Sequence, residues 1–352
     1  MIERFKLQNM KNNRLYMGLA IAAGLLASCK NGDAPFPDFT NSAVYFATQY
    51  PVRTVELGED LNVDNSLDNQ RKISIKATMG GVYENKKDVA IDFRVDESLL
   101  SNLYYVGGAK INAMPAQYYQ LAANKITIPS GSIIGGVEVQ LTDAFFADPT
   151  AVSRNYVIPL VMTNVNGADS ILKGVANVAN PSRVVATNWA TLPKDYVLYA
   201  VKYANPWQAN YLRRGADQIT SATGTVTSAN RRTPFVENNE VVSASTLGLK
   251  TARLPVNIKN STGTNVSVDL VLTFADDGTC TVTGNSANFD VAGTGKFVSN
   301  GEKNSLGGKD RSAIYLDYTI NAKLLNIKYA TKDTLVVRDR GLKAETFSVE
   351  KR

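Results

Sequence analysis

Period-two alternation of apolar and polar residues dominates the chain from about position 42 onward. Residues 71–77 (RKISIKA), 89–95 (VAIDFRV), 125–128 (KITI) and 136–141 (GVEVQL) each send every second side chain to one face. That spacing belongs to half-buried strands. Residues 43–46 open the series and 156–162 (YVIPLVM) close it. Turn formers such as Pro129-Ser130-Gly131 punctuate the runs, and no helical period is sustained. About seven short strands in succession predict an immunoglobulin-like β-sandwich over residues 42–174. Pro159 lacks a ladder donor and predicts an edge or a bulge.

Residues 175–193, with Asn180-Pro181 and Pro193, break the pattern and predict a linker. A second domain, 194–352, opens at 195–203 and continues through strands at 254–258, 266–274, 279–282, 289–298, 313–320, 324–329, 334–338 and 346–349. Asp277-Gly278 between two alternating runs is a hairpin signal, because both turn positions tolerate positive φ. Consecutive strands with tight turns predict an antiparallel meander, closed as a barrel or folded as a second sandwich. The expected fold class is all-β, in two domains.

The first 28 residues follow a different rule. Arg4, Lys6, Lys11 and Arg14 precede a mostly apolar run, 15–26, that is too short to span a bilayer comfortably. Leu26-Ala27-Ser28-Cys29 then has the form of a lipobox. The expectation is a signal peptide over 1–28, lipidation at Cys29, and a tether over 29–41 rich in polar residues, glycine and proline. Cys280 is the other of the two cysteines and lies in an alternating run, so it is expected to be a buried hydrophobe.

Charge and composition narrow the chemistry. The leader holds four of the 38 Lys/Arg and one of the 32 Asp/Glu, leaving 34 basic and 31 acidic residues, a net +3. This balance leaves no nucleic-acid footprint. Arg213-Arg214 and Arg231-Arg232 are isolated pairs, read as solvated. Histidine is absent, which excludes Ser-His-Asp and Cys-His catalysis and histidine-ligated metals. Gly293-Thr294-Gly295-Lys296 lacks the earlier glycine of a phosphate loop, since Asp290 stands there, and reads as a turn. Glu59, Asp60, Asp64 and Asp68 lack the glycine and closing glutamate of a calcium loop and read as a solvated loop. No metal or cofactor is expected.

Two sets of segments carry a family resemblance. Ala43-Val44-Tyr45-Phe46, Tyr118-Tyr119-Gln120-Leu121 and Tyr156-Val157-Ile158-Pro159-Leu160 resemble the N-terminal domain of unknown function of many Bacteroidetes surface lipoproteins. That domain also precedes the catalytic module of some endoglycosidases. The stretch from Tyr203 to Gly215 (YANPWQANYLRRG) and that from Gly308 to Tyr318 (GKDRSAIYLDY) resemble the companion C-terminal domain. The resemblance covers nearly all of the mature chain. It implies an accessory lipoprotein of a polysaccharide-utilisation system, on the outer membrane and exposed at the cell surface, beside a glycan transporter. Asp33 and Asp38 partly match the acidic surface-export signal of such lipoproteins. No catalytic module follows the first domain, so the endoglycosidase activity does not carry over.

Sugars stack their C–H faces on aromatic rings while amides and guanidinium groups take the hydroxyls. Tyr203, Trp207 and Tyr211 recur at four-residue spacing, with Asn205, Gln208, Asn210 and Arg213 among them, and form the candidate glycan platform. The competing reading packs the same rings into a core. Trp189 is a candidate wedge between the domains, and Tyr104-Tyr105 with Tyr118-Tyr119 form a rival surface. Tyr315 and Tyr318 must fall on opposite faces of one strand. The expected function is non-catalytic polysaccharide capture. The alternatives are a structural or adhesive lipoprotein without a glycan site, and a glycosidase with two carboxylates facing across a cleft.

Overall fold

The computed structural model describes residues 39–352. The leader, Cys29 and nearly all of the expected tether lie outside the described residues. Alternation becomes strand over most of the runs read, except that Lys323–Leu325 forms a 3-10 turn and residues 347–348 lie between two short strands. The main strands of the first sheet are β1 (Ala43–Tyr45), β2 (Pro51–Glu56), β3 (Lys72–Gly80), β4 (Val89–Val95), β5 (Lys125–Ile128), β6 (Ile134–Leu141), β7 (Tyr156–Asn166) and β8 (Tyr196–Ala204). Their spatial order is β1-β3-β6-β5-β4-β7-β8-β2. β8 and β2 run parallel, with Ala200 opposite Val52, and the other neighbours are antiparallel.

This sheet buries both faces at its centre. Val44, Ile73, Ile91, Ile126, Val139 and Ile158 belong to the main sandwich core. Val52, Leu100, Leu103, Val157, Leu198 and Phe347 form a second core. β7 contributes Ile158 and Leu160 to one core and Val157 and Val161 to the other. Its run is therefore continuously apolar rather than alternating. Pro159 is not on an edge strand, because β7 lies between β4 and β8. β4 ends opposite Leu160, and Asp96 N, one residue beyond it, donates to the Pro159 carbonyl. The proline thus sits where one ladder has run out, and a bulge follows between Met162 and Asn164.

The second sheet is β9 (Ala209–Thr220), β10 (Val226–Asn230), β11 (Glu240–Gly248), β12 (Thr251–Lys259), β13 (Asn265–Phe274), β14 (Thr279–Gly284), β15 (Phe289–Glu302), β16 (Arg311–Ala322) and β17 (Ile327–Asp339). β9 pairs with β11 on one edge and β17 on the other, so eight of these strands close into an antiparallel barrel. β10 pairs only with the far half of β9. Of the two architectures left open by the sequence, the barrel is the one formed. The Asp277-Gly278 turn joins β13 to β14 as read, with Gly278 at φ +81°.

Gly293 and Gly295 correct the turn reading, since both lie inside β15. A side chain at Gly293 would meet the Tyr318 Cβ at 2.4 Å, and one at Gly295 the Leu316 Cδ2 at 2.4 Å. The glycines leave room for Tyr318, Leu316 and Cys280 to fill the barrel. Cys280 is the expected buried hydrophobe, and burial pushes its thiol up to about 11.

The change of sheet differs from the expected linker. β8 pairs with β7 and β2, so residues 196–204 complete the first sheet. The chain crosses to the barrel at Asn205-Pro206, and 175–191 instead forms a small two-stranded sheet. Trp189 belongs to that local unit and donates its indole N–H to Ser182 O at 2.8 Å, so it is no wedge between domains. After β17 the tail returns to the first sheet, with Thr346 opposite Pro51, and then forms a separate two-stranded sheet with Val349 opposite Tyr105.

Candidate functional site

The aromatic platform expected at 203–213 is an interior. Tyr203 points into the sandwich core between Phe145 and Phe146 and donates to Phe146 O at 3.1 Å. Tyr211 points into the barrel and donates to Trp207 O at 2.7 Å. Trp207 is stacked on Phe274, with ring centroids 3.9 Å apart. Asn205 is buried and ties the crossover to Gly248 O and Thr251 O through its amide. Gln208 accepts from the Thr246 hydroxyl at 2.7 Å. Arg213 is buried in ion pairs. The tyrosines sit on two strands of different sheets, each facing its own core, so four-residue spacing never became one surface.

The rival tyrosines are also engaged. Tyr105 is buried, Tyr118 donates to Asp148 at 3.0 Å, and the Arg352 guanidinium covers Tyr104 at 4.6 Å. Tyr119 is half-buried. Tyr318 is buried and Tyr315 half-buried, the opposed placement their odd spacing requires.

Arg213 and Arg231 correct the expectation that both arginine pairs are solvated, while Arg232 is exposed as expected. Arg213 Nε donates to Asp333 Oδ2 at 2.9 Å, and Arg231 Nη2 donates to Asp333 Oδ1 at 2.6 Å. Arg231 also pairs with Asp217, and Tyr318 OH donates to Asp333 at 2.8 Å. The inner member of each pair thus belongs to an ionic network inside the barrel. The outer members, Arg214 and Arg232, stay on the outer wall.

That wall carries a groove of about 460 Å³. One side is the loop after β10, where Thr233 Oγ1 donates to Phe235 O and Asn239 Nδ2 to Val236 O. Val236 anchors this loop against Leu212, Val336 and Leu306, while Phe235 remains 64% exposed. The other side is the β15–β16 loop, tied by Lys303–Asp310 and by Arg311 Nε donating to Leu306 O. Arg214, Glu302 and Asn304 line the space between. Glu302 accepts from Tyr315 OH at 2.9 Å. An adjoining hollow of about 580 Å³ is lined by Tyr315, Arg232 and Thr334. An exposed ring on a braced loop beside guanidinium, carboxylate and amide groups is the arrangement expected at Trp207 and found here instead. Phe235 falls outside every alternating run, and only its Pro234 neighbour marks it as a loop residue.

A second concavity lies at the sandwich–barrel junction. Its cleft, of about 790 Å³, is lined by Arg53, Glu56, Asp60, Asn210, Asp339 and Lys343 among others, with no aromatic ring. The acidic loop is not wholly solvated, since Asp68 is buried between Arg53 and the Glu56 N–H. Glu56 is only 7% exposed, and its Oε1 has no hydrogen bond, although Arg340 Nε lies 3.5 Å away. Burial pushes the Glu56 carboxyl up to about 7; Arg340 opposes this, and Asp60 and Asp68 add to it.

The native state therefore binds more protons than the unfolded chain between pH 4.5 and about 7. This contribution weakens the fold as pH rises through that window. Glu56→Gln is expected to be more stable than the parent at pH 8, by about 3 kcal/mol, and close to it near pH 4.5. Urea midpoints of both proteins at the two pH values check this. A difference that does not change with pH would refute the assignment.

Comparison with known proteins agrees with this division. The model of a domain of unknown function (DUF5627) matches residues 206–341, the barrel, and an N-terminal-domain model matches residues 39–169. Among curated proteins, none matches the chain. A structural-genomics protein of unknown function from Bacteroides ovatus is 54% identical, with a TM-score of 0.83 over 90% of this chain and 100% of its own. A second Bacteroides ovatus protein of unknown function is 14% identical, with a TM-score of 0.41 over 88% of this chain and 99% of its own. An auxiliary nutrient binding protein from Bacteroides thetaiotaomicron is 12% identical, with a TM-score of 0.35 over 81% of this chain and 90% of its own. The last two likenesses are too slight to bear on function. The first shows the family: in its sandwich and its DUF5627 barrel, this chain belongs to the same family as the 54%-identical Bacteroides ovatus protein.

Proposed function

We propose that this protein is a non-catalytic glycan-binding lipoprotein. It is anchored through Cys29 to the outer membrane and holds polysaccharide at the cell surface for an uptake transporter. The lipobox and its charged, apolar leader support the anchoring. The observation that carries the binding is Phe235, left exposed on a braced loop at the rim of a polar groove. A loop so held has little backbone freedom left to lose on binding, and the ring's neighbours offer both donors and acceptors. The groove is open, as a polymer requires, and weak single contacts gain by avidity when neighbouring binders hold the same chain. The junction cleft is the lesser candidate, because Arg340 on its wall is already engaged in joining the two halves.

Affinity electrophoresis against a panel of polysaccharides tests this. The parent protein is expected to be retarded by at least one glycan. Phe235→Ala is expected to weaken that retardation roughly tenfold, equivalent to about 1.4 kcal/mol. Its thermal midpoint should stay unchanged, because the ring buries little. Retardation equal in both proteins would remove the groove as the site.

A further inference from the structure

The barrel wall divides the two arginine pairs, and the division leaves two guanidinium groups outside. Arg213 and Arg231 are neutralised inside by Asp333 and Asp217. Among the described residues, neither Arg214 nor Arg232 forms an ion pair. Arg214 sits opposite Thr334 in the β9–β17 register, and Arg232 Nη2 reaches the Thr334 hydroxyl at 3.4 Å. The two arginines are thus neighbours on the wall, with the backbone of Arg214 and the side chain of Arg232 both at Thr334. Each opposes the charge of the other: burial and Arg232 both lower the Arg214 pKa, and Glu302 only partly offsets them. Arg214 Nη2 donates to Thr233 O at 3.2 Å, while its Nε is buried without a partner. A buried donor left unsatisfied on a cation is costly, and a second cation beside it adds to that cost. The charge–charge cost falls when an anion with two acceptor oxygens arrives, since a guanidinium binds carboxylate or sulfate oxygens in pairs.

We infer that the glycan captured here is anionic, with uronate carboxylates or sulfate esters seated between Arg214 and Arg232 while a sugar face packs on Phe235. This rests on the glycan-binding reading above and names its substrate class. Glu302, hydrogen-bonded to Tyr315, is left to accept from a sugar hydroxyl at the edge of the anion site.

Affinity electrophoresis with polygalacturonate, dextran sulfate and neutral dextran and galactan separates the possibilities. Polygalacturonate carries carboxylates only and dextran sulfate carries sulfates only, so the stronger of the two identifies the anion. Arg232→Gln is expected to weaken the anionic ligand about tenfold, while Arg232→Lys keeps most of the affinity. Binding should also weaken as salt is raised. Lys86→Gln, an exposed cation on the sandwich, is the control for general charge attraction. An equal loss in Lys86→Gln and Arg232→Gln overturns the site. Binding of a neutral glycan that is lost in Phe235→Ala but unchanged in Arg232→Gln overturns the anionic class and leaves the glycan reading standing. No binding of any polysaccharide overturns both.

Discussion

Asp333→Ala is expected to destabilise the barrel by about 3–5 kcal/mol, the range for removing one partner of a buried ionic network. Asp333 is fully buried and accepts from Arg213 at 2.9 Å, Tyr318 at 2.8 Å and Arg231 at 2.6 Å. Alanine leaves the Arg213 guanidinium buried with only Glu240, at 3.2 Å, to neutralise it. The Tyr318 hydroxyl loses its acceptor at the same time. Gly215 lies beside this point, where an added Cβ would meet Lys332 O at 2.2 Å, so the wall has little room to shift and compensate. Removing both charges should cost less than the sum of the single losses, because the stranded cation disappears with its partner. Urea denaturation of Asp333→Ala, Arg213→Met and the double variant measures that coupling. Additive losses would mean that the network is not a unit.

Arg340→Ala is expected to cost a similar 3–5 kcal/mol, at the junction rather than inside the barrel. One guanidinium there donates to four backbone carbonyls: Gln208 at 2.8 Å, Asn205 at 2.9 Å, Leu57 at 3.0 Å and Glu59 at 3.1 Å. Two of these acceptors follow the end of β2 and two lie on the crossover into the barrel. Arg340 therefore fastens sandwich to barrel with groups that no other residue type presents in one plane. Arg340→Lys should rescue little, since an ammonium cannot reach four carbonyls arranged for a fork. Limited proteolysis is expected to cut first near 57–63 or 205–208 in either variant. Resistance equal to the parent would show that the junction is held by packing alone.

Strand content was legible because burial of one face imposes period two, and hairpins were legible where Asp-Gly permits positive φ. The opposed faces of Tyr315 and Tyr318 followed from parity alone. Closure of the barrel was not legible, because the β9–β17 pairing joins segments more than a hundred residues apart. The expected domain boundary failed for a related reason. The weak segment 175–193 looked like a linker, yet β8 after it pairs with β7 and β2. The candidate site failed through an assumption of continuity. Tyr203 and Tyr211 flank a crossover, so their spacing spans two cores rather than one face. Arg213-Arg214 hid its meaning in strand alternation, which sends Arg213 in and Arg214 out, and Arg231-Arg232 hid its meaning in a loop, where Arg231 turns in to Asp217 and Asp333. Phe235 left no periodic trace, because its exposure is decided by Val236 taking the buried place.

Hydrogen–deuterium exchange with and without the most strongly retained polysaccharide tests the central claim most directly. Protection is expected at 231–239 and 302–310, the two walls of the barrel groove, with 57–63 and 339–344 at the junction unchanged. Protection confined to the junction, or to neither region, would contradict the placement of the glycan site on the barrel wall.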